Sequence, residues 1–325
     1  MRRRRRSVRL GSADRHPCRR CSARGFLDST MRRRVLMLVN RDKPDSADVA
    51  ASVRTIIETH GLLAGELDAV PEDGSPETNG AELIAVLGGD GTMLSQTRRC
   101  ASLGLPMLGV NIGKVGFTAE FDVESLSDQA ASLFGGGAPL PLREVAILEI
   151  AVNGEAVGLA MNECVVTAGP PFRMIELSLR IDGEPGPTVA GDGMIVSTPV
   201  GSTAYTLSAG GPILSPSVYA MAITPIAAHS LSFRPIVVPG ESVVELRVGR
   251  VNRDGPGCEG GTAVVLDGRV AKLLNAGDVV RVRRHATSAR FVTNAGASYW
   301  STLIRKLHWA VQPLERKPSG DGGLS

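Results

Sequence analysis

The sequence predicts an α/β domain with a parallel, Rossmann-like sheet, followed by a mostly antiparallel, β-sandwich-like domain. Short continuous apolar runs alternate with helical patterns up to residue 134, and strands with tight turns dominate after residue 145. A glycine- and proline-rich segment at residues 135–141 separates the two patterns. No apolar run approaches eighteen residues, so no membrane-spanning helix is expected.

The first domain should alternate strands with helices. Its apolar runs have the length and composition of strands covered on both faces: Val35–Val39, Leu83–Leu87 and Met107–Val110. Helices are expected after a cap at Asp45 or Ser46, after Thr92, and over Glu124–Phe134. This order predicts β–α–β units.

The second domain is marked by hairpin turns. Asn153-Gly154, Asp182-Gly183 and Asp267-Gly268 each follow an apolar run, and the first two suit type I′ turns. A C-terminal helix is expected over residues 299–310, with Trp300, Leu303, Ile304 and Leu307 on its docked face. The predicted organisation is therefore an Arg-rich disordered extension or unused upstream start (1–30), an α/β domain (31–138), a β-rich domain (139–298), and the C-terminal helix with a disordered tail (299–325).

Charge is distributed unevenly along the chain. Residues 1–34 hold thirteen arginines and two aspartates, whereas the remaining residues hold 23 basic and 31 acidic side chains. A mildly acidic body is unsuited to binding nucleic acid. His16, Cys18 and Cys21 lack a fourth ligand nearby, so no metal site is predicted.

Two glycine-rich segments indicate chemistry on phosphate and ribose. Residues 88–92 read Gly-Gly-Asp-Gly-Thr between a buried strand and a helix, and residues 191–205 read Gly-Asp-Gly-Met-Ile-Val-Ser-Thr-Pro-Val-Gly-Ser-Thr-Ala-Tyr. Glycines let phosphates reach main-chain N–H groups, and hydroxyls bond the remaining oxygens. Asp90 could orient a substrate hydroxyl and accept its proton, or it could simply cap the following helix.

The first loop resembles a superfamily of phosphoryl-transfer enzymes that includes NAD kinases, diacylglycerol and sphingosine kinases and 6-phosphofructokinases. Further segments are similar to NAD kinases in particular. They are Met93-Leu94-Ser95, Gly-Val-Asn-Ile-Gly-Lys-Val-Gly-Phe-Thr at 109–118, Asn162-Glu163, residues 191–205, Ala-Gly-Gly-Pro at 209–212, and His229-Ser230-Leu231 with Arg234-Pro235. The resemblance covers roughly residues 33–305 and implies an NAD kinase.

The resemblance assigns roles to individual residues. Asp90 matches the family's proton acceptor and Gly91 lies beside the substrate phosphates, while Asn162 and Glu163 match residues that hold the adenosine half of NAD. Arg173 matches an often basic nucleotide-binding position, and Asp192 a carboxylate that contacts the nicotinamide half across a subunit boundary. The adenosine-lining segment corresponds to Thr203, Ala204, Tyr205, Thr206, Leu207 and Ser208. Phe117 faces either the adenine or the core.

This chain departs from the family pattern at two positions. Val200 replaces a threonine usual in the Thr-Pro-Thr-Gly-Ser-Thr version, which removes one hydroxyl. Arg269 stands where some relatives have a glutamine that touches the nucleotide. Neither change removes the carboxylate of Asp90, but both alter the expected substrate contacts.

The expected reaction transfers a phosphoryl group from ATP, or from polyphosphate, to the adenosine 2′-hydroxyl of NAD⁺. Mg²⁺ is expected to enter with the nucleotide, because the sequence shows no dedicated cage of carboxylates. Cys100, Cys164 and Cys258 are interpreted as small buried thiols, which favours a cytoplasmic location. The resemblance implies a homodimer or homotetramer. The alternatives are a lipid kinase of the same superfamily, for which no basic or amphipathic membrane-facing stretch exists in the body, and a nucleotide sensor without turnover.

Overall fold

Three six-stranded sheets organise the part of the chain described by the computed structural model, which comprises residues 32–70, 74–113, 115–230, 232–253 and 260–307. The strands are β1 (Arg34–Val39), β2 (Leu62–Asp68), β3 (Leu83–Gly88), β4 (Met107–Asn111), β5 (Leu142–Val145), β6 (Leu148–Val152), β7 (Glu155–Ala160), β8 (Glu163–Thr167), β9 (Ile175–Ile181), β10 (Glu184–Gly191), β11 (Gly193–Ser197), β12 (Ala220–Ile226), β13 (Ile236–Pro239), β14 (Val244–Arg250), β15 (Ala263–Leu266), β16 (Arg269–Leu273), β17 (Val279–Arg284) and β18 (Ala289–Val292). The helices are α1 (Ser46–His60), α2 (Asp90–Cys100), α3 (Val123–Phe134), α4 (Tyr205–Ser208) and α5 (Tyr299–Leu307).

The first sheet is mostly parallel, as the sequence predicts. Its strands lie in the order β2-β1-β3-β4-β18-β5, and only the pairing of β18 with β5 is antiparallel among these described strands.

The sequence pattern does not predict strand β2. It lies at the edge of the sheet, is only partly buried and has Gly65 at its centre, so it lacks a continuous apolar run.

Helices cover both faces of the first sheet. On one face, Val53 and Ile57 of α1 pack with Leu126 and Phe134 of α3. On the other face, Met93 and Cys100 of α2 lie in a second apolar cluster. Helix α1 begins after Asp45, whose side chain forms no cap hydrogen bond; the expected Asp45 cap is therefore absent.

The second half of the described chain is a sandwich of antiparallel sheets. The strand orders are β10-β9-β14-β17-β6-β7 and β13-β12-β11-β8-β15-β16. Apolar side chains from both sheets, such as Ile150 and Leu246 on one and Met194 and Ile223 on the other, share one core. The predicted turns at Asn153, Asp182 and Asp267 each adopt positive φ and are each followed by a positive-φ glycine.

The chain crosses between its two halves more than once. Strands β5 and β18, which follow the boundary predicted at residue 138, complete the first sheet. Helix α5 then follows β18 and buries Thr302 and Leu303, while Trp300 is 54% and Ile304 45% exposed. The docked face of α5 is therefore rotated from the predicted one. The predicted extension 1–30, the tail from Pro313 and helical residues 308–310 lie outside the described residues.

No described helix is long and apolar enough to cross a membrane.

Candidate active site

Asp90 is the first residue of α2, at the carboxyl end of the buried strand β3. Its carboxylate does not cap this helix; it accepts hydrogen bonds from the loop that follows β4 instead. Oδ1 accepts bonds from the backbone N of Thr118 (2.8 Å), the Thr118 hydroxyl (2.8 Å) and the backbone N of Ala119 (3.2 Å). Oδ2 accepts one bond from the backbone N of Phe117 (3.1 Å) and one from Lys306 Nζ (3.2 Å). The simple capping alternative is therefore wrong.

Burial raises the pKa of Asp90, but the opposing effects of the hydrogen bonds from Thr118 and Phe117, and of the Lys306 charge, are larger in sum. The resulting pKa lies below the ordinary value for an aspartate. Asp90 is consequently ionised at neutral pH and is ready to accept a hydrogen bond from a hydroxyl.

The glycines around Asp90 fall into two groups. A side chain at Gly88 would collide with Thr92, and one at Gly116 would lie 2.1 Å from Asp90 Oδ1, so both are required by packing within the protein. Beyond the chain neighbours and the backbone of the same helix, a Cβ at Gly89 or Gly91 would meet no protein atom within 4 Å. These two positions leave backbone open at the start of α2, where N–H groups attract anions.

Asn162 and Glu163 are held in place by the carboxylate of Asp267. Its side chain is only 2% exposed, and it accepts hydrogen bonds from the backbone N of Met161 (2.8 Å), Asn162 (2.8 Å) and Glu163 (3.1 Å). The same carboxylate forms an ion pair with Arg98 of α2. Asp267 thus ties the β15–β16 hairpin to the Asn162-Glu163 pair and to the helix that carries Asp90.

The second glycine-rich segment packs on the opposite side of Asn162. Thr198 donates its hydroxyl to the Met161 carbonyl (2.7 Å), and its backbone N donates to the Asn162 carbonyl (2.9 Å). A Cβ on Gly201 would lie 2.1 Å from that carbonyl oxygen, so glycine is needed for this close approach. The backbone at Asn162 is therefore clamped from both sides.

Glu163 faces a buried polar surface. In the β8–β11 ladder it lies opposite Ser197, and Thr224 of β12 lies opposite Ile195 on the same face. Glu163 Oε2 and the hydroxyls of Ser197, Thr206 and Thr224 are buried without a protein hydrogen-bond partner. Burial, and then the nearby charge of Asp267, raise the pKa of Glu163 to about 8, while a backbone hydrogen bond from Tyr205 acts in the opposite direction. Glu163 is therefore mostly protonated at neutral pH.

A groove of about 310 Å³ lies between helix α2 in the first half of the chain and the β15–β16 hairpin in the second half. Gly91, Ser95 and Arg98 line it from α2, and Asp267 and Arg269 line it from the hairpin. Arg269, one of the two departures from the family pattern, thus lies beside the predicted phosphate loop. The other departure, Val200, packs against the apolar cluster on the α2 side of the first sheet.

The remaining predicted residues have different positions. Residues 203–208 span the end of a short 3₁₀ turn and helix α4, with Thr206 buried and Tyr205 45% exposed. Arg173 is exposed and lines a separate cleft with Arg250 and Arg253. Asp192 is exposed between β10 and β11. This single chain does not bring Arg173 or Asp192 into the groove beside Gly91.

Phe117 lies at the rim of the site and outside the apolar core clusters. Its half-buried ring lies 6.0 Å from that of Tyr299 and 5.3 Å from Lys306 Nζ. The ring therefore faces helix α5 in this structure. Among the described residues, no group of three or more His, Cys, Asp or Glu is arranged to hold a metal ion.

Comparisons with known proteins identify the family of this chain. Residues 72–138 match the model of the ATP-NAD kinase N-terminal domain, and residues 161–294 match that of the ATP-NAD kinase C-terminal domain. The NAD kinase of Desulforamulus reducens is 38% identical over 83% of this chain and 96% of its own length. That of Rhodopirellula baltica is 33% identical over 85% of this chain and 87% of its own. The chain belongs to the NAD kinase family.

Two solved structures share the fold of this chain. Yeast NADH kinase, crystallised with NADH, superposes with a TM-score of 0.70 at 21% identity, over 89% of this chain and 91% of its own. An NAD kinase from Archaeoglobus fulgidus, in complex with ATP, gives a TM-score of 0.64 at 24% identity, over 85% of this chain and 98% of its own. The predicted fold class is confirmed.

The sequence patterns do not reveal three contributors to the candidate site. They predict only a hairpin turn for Asp267 and no role for Thr118 or Lys306, although all three are connected to the predicted residues by hydrogen bonds. The apolar run before Asp267-Gly268 predicts a turn and nothing more. The backbone groups that donate to the Asp267 carboxylate lie more than a hundred residues away in the chain, so no local pattern reveals them.

Replacing Asp267 with Asn should destabilise the protein by about 2–4 kcal/mol, because the amide has one acceptor oxygen for three backbone donors and removes the negative charge that pairs with Arg98. Urea unfolding measures this change. Asp182→Asn is the matched control, because Asp182 occupies an exposed hairpin turn of the same kind. It should cost less than about 1 kcal/mol. Equal losses of unfolding free energy in both variants would contradict the role of Asp267 in holding residues 161–163.

Glu163 should make stability depend on pH. The unfolded chain ionises this residue near its ordinary pKa of 4.5, whereas the folded protein does so at about 8. The contribution of the protonated side chain is therefore fully present below pH 4.5 and is lost as pH rises to about 8. Melting temperatures of the parent and Glu163→Gln should diverge over this window, with the parent losing relative stability. A constant difference would show that Glu163 ionises normally.

Proposed function

We propose that this chain transfers the γ-phosphoryl group of ATP to the 2′-hydroxyl of the adenosine ribose of NAD⁺, giving ADP and NADP⁺. The observation that carries the proposal is the ionised carboxylate of Asp90, which is fixed by the Thr118 loop beside the open backbone of Gly89 and Gly91. Membership of the NAD kinase family supports NAD⁺ as the acceptor.

In this reaction the 2′-hydroxyl oxygen bonds to the γ-phosphorus as the bond to the β,γ-bridging oxygen breaks. ADP leaves with the electron pair, and the hydroxyl proton passes to Asp90. A carboxylate with a lowered pKa is a weak base, but phosphoryl transfer through a loose transition state needs orientation of the hydroxyl more than strong deprotonation. Mg²⁺ enters as part of the MgATP substrate and offsets the phosphate charge.

Asn162, Glu163 and residues 203–208 form the proposed adenosine subsite. The Asn162 amide can pair with adenine, and a protonated Glu163 can donate a hydrogen bond as well as accept one. The unpartnered hydroxyl of Thr206 lies in the same polar region, and exposed Tyr205 offers an apolar wall. Polyphosphate is a second proposed donor, because the open backbone at Gly91 recognises phosphate rather than a base.

The proposed assembly is a cytoplasmic homodimer or homotetramer in which Asp192 contacts the nicotinamide half of NAD⁺ bound to a neighbouring subunit. Its exposure, away from the groove beside Gly91, supports a role outside its own subunit. Arg173 is proposed as a further nucleotide contact from its separate cleft.

Replacing Asp90 with Asn should lower kcat for NADP⁺ formation by roughly 10²-fold or more, because the amide can position the hydroxyl but cannot take its proton. The full chain is assayed with NAD⁺ and MgATP, and binding of NAD⁺ is measured by calorimetry and should persist. Asp48→Asn, an exposed acid in the first turn of α1, is the control and should leave the rate unchanged.

An unchanged rate in Asp90→Asn would remove Asp90 from the base role. NAD⁺ binding without any product from the parent would favour the sensor alternative. Phosphorylation of diacylglycerol in place of NAD⁺ would favour the lipid-kinase alternative, which the family comparisons do not support.

A further inference from the structure

Lys306 reaches the reacting carboxylate from the far end of the described chain. Its ammonium nitrogen lies 3.2 Å from Asp90 Oδ2 and 5.3 Å from the centre of the Phe117 ring. The Lys306 side chain is 30% exposed and that of Asp90 31%, so the pair lies at the mouth of the site, within reach of a substrate. Lys306 was not among the residues that the sequence motifs identified.

The docking of helix α5 directs Lys306 toward Asp90. Tyr299, Thr302, Leu303 and Lys306 follow the spacing of one helical face. Thr302 and Leu303 are buried, while the Tyr299 ring lies 6.0 Å from that of Phe117 and its hydroxyl donates to the Leu214 carbonyl (3.3 Å). These contacts fix α5 against the loop at residues 116–119, which binds Asp90. The position of Lys306 beside Asp90 therefore follows from the packing of the helix.

The hydrogen bonds of Asp90 determine where a substrate hydroxyl can approach. Oδ1 already accepts three bonds from Thr118 and Ala119, whereas Oδ2 accepts only those from Phe117 and Lys306 among the described contacts. A hydroxyl that donates to Asp90 must therefore approach Oδ2. Such a hydroxyl competes with the Lys306 ammonium for this oxygen, so Lys306 adjoins the place where the hydroxyl binds.

Charge favours a cation at this position. The transferred phosphoryl group is anionic, and in-line attack brings it close to the carboxylate that orients the hydroxyl. Two like charges at this separation repel, and a preorganised cation beside both offsets that repulsion. A lysine ammonium on a flexible stem can move from the carboxylate to a phosphoryl oxygen without moving the helix.

We propose that Lys306 is a catalytic residue that pairs with Asp90 in the free protein and binds the transferred phosphoryl oxygens during the reaction. This inference rests on the proposed NAD kinase activity. As the 2′-hydroxyl takes the place of Lys306 on Oδ2, the ammonium shifts to the γ-phosphoryl oxygens. The P–O bonds form and break as described above, the proton goes to Asp90, and Lys306 keeps its own protons throughout.

The test compares Lys306→Met, which keeps an apolar stem on Phe117, with Lys306→Arg, which keeps the charge. In assays of the full chain with NAD⁺ and MgATP, Lys306→Met should lower kcat about 10²-fold and leave the KM for NAD⁺ within about threefold. Lys306→Arg should recover part of the lost rate. The acid limb of the Lys306→Met pH–rate profile should also move to higher pH, because Lys306 lowers the pKa of Asp90.

Arg305→Met is the matched control, since Arg305 is the neighbouring, exposed cation in the last turn of α5. It should retain the parent rate. A Lys306→Met rate equal to the parent's would overturn the proposal, and a faster rate would show that Lys306 only blocks Asp90. Lys306→Met with a lower melting temperature but the parent's activity, together with a loss of activity in Lys306→Arg, would show that Lys306 contributes only to packing and would overturn the proposal. A parent that binds NAD⁺ but forms no NADP⁺ would overturn the proposed function itself, and this inference with it.

Discussion

The candidate site depends on the buried carboxylate of Asp267. It accepts backbone hydrogen bonds from residues 161–163 and pairs with Arg98, so one side chain fixes the ends of two strands against a helix from the other half of the chain. A buried charge is costly unless every partner is present. The contacts of Asp267 therefore depend on one another. Together they set the position of Asn162 and Glu163 relative to the helix that begins with Asp90.

Two carboxyl groups of the site are driven to opposite protonation states by their surroundings. Asp90 receives backbone and hydroxyl donors together with Lys306, which favour its charged form. Glu163 is buried close to the negative charge of Asp267, which favours its neutral form. On the proposed function, this divergence separates two chemical roles: Asp90 orients the nucleophile as a carboxylate, and Glu163 donates a hydrogen bond to the nucleotide as an acid. Asp267 thus contributes to both the geometry and the protonation of the site.

Local patterns predicted those parts of the molecule whose causes are local. Buried strands such as Leu83–Gly88 and the turn at Asn153 follow from apolar runs and turn chemistry. The first glycine-rich loop points to Asp90 as a candidate site residue, and the resemblance to NAD kinases points to Asn162. Strand β2 was missed because an edge strand needs no continuous apolar run. The roles of Asp267 and Lys306 were missed because their partners are remote in sequence, and the docked face of α5 is set by contact with Phe117 rather than by its most apolar stripe.

The chemistry around Asp90 is assembled from three distant segments: the start of α2, the loop at 116–119 and the last turn of α5. The first two supply neutral backbone donors, which hold a carboxylate or cradle a phosphate but carry no full positive charge. Of the two arginines on α2, Arg98 is paired with Asp267 and Arg99 donates to the Gly74 carbonyl. On the proposed function this carboxylate meets an anionic phosphoryl group, and α5 supplies a cation in direct contact with the carboxylate through Lys306. The C-terminal helix is, on this argument, part of the reaction centre and not merely a cover for the first sheet.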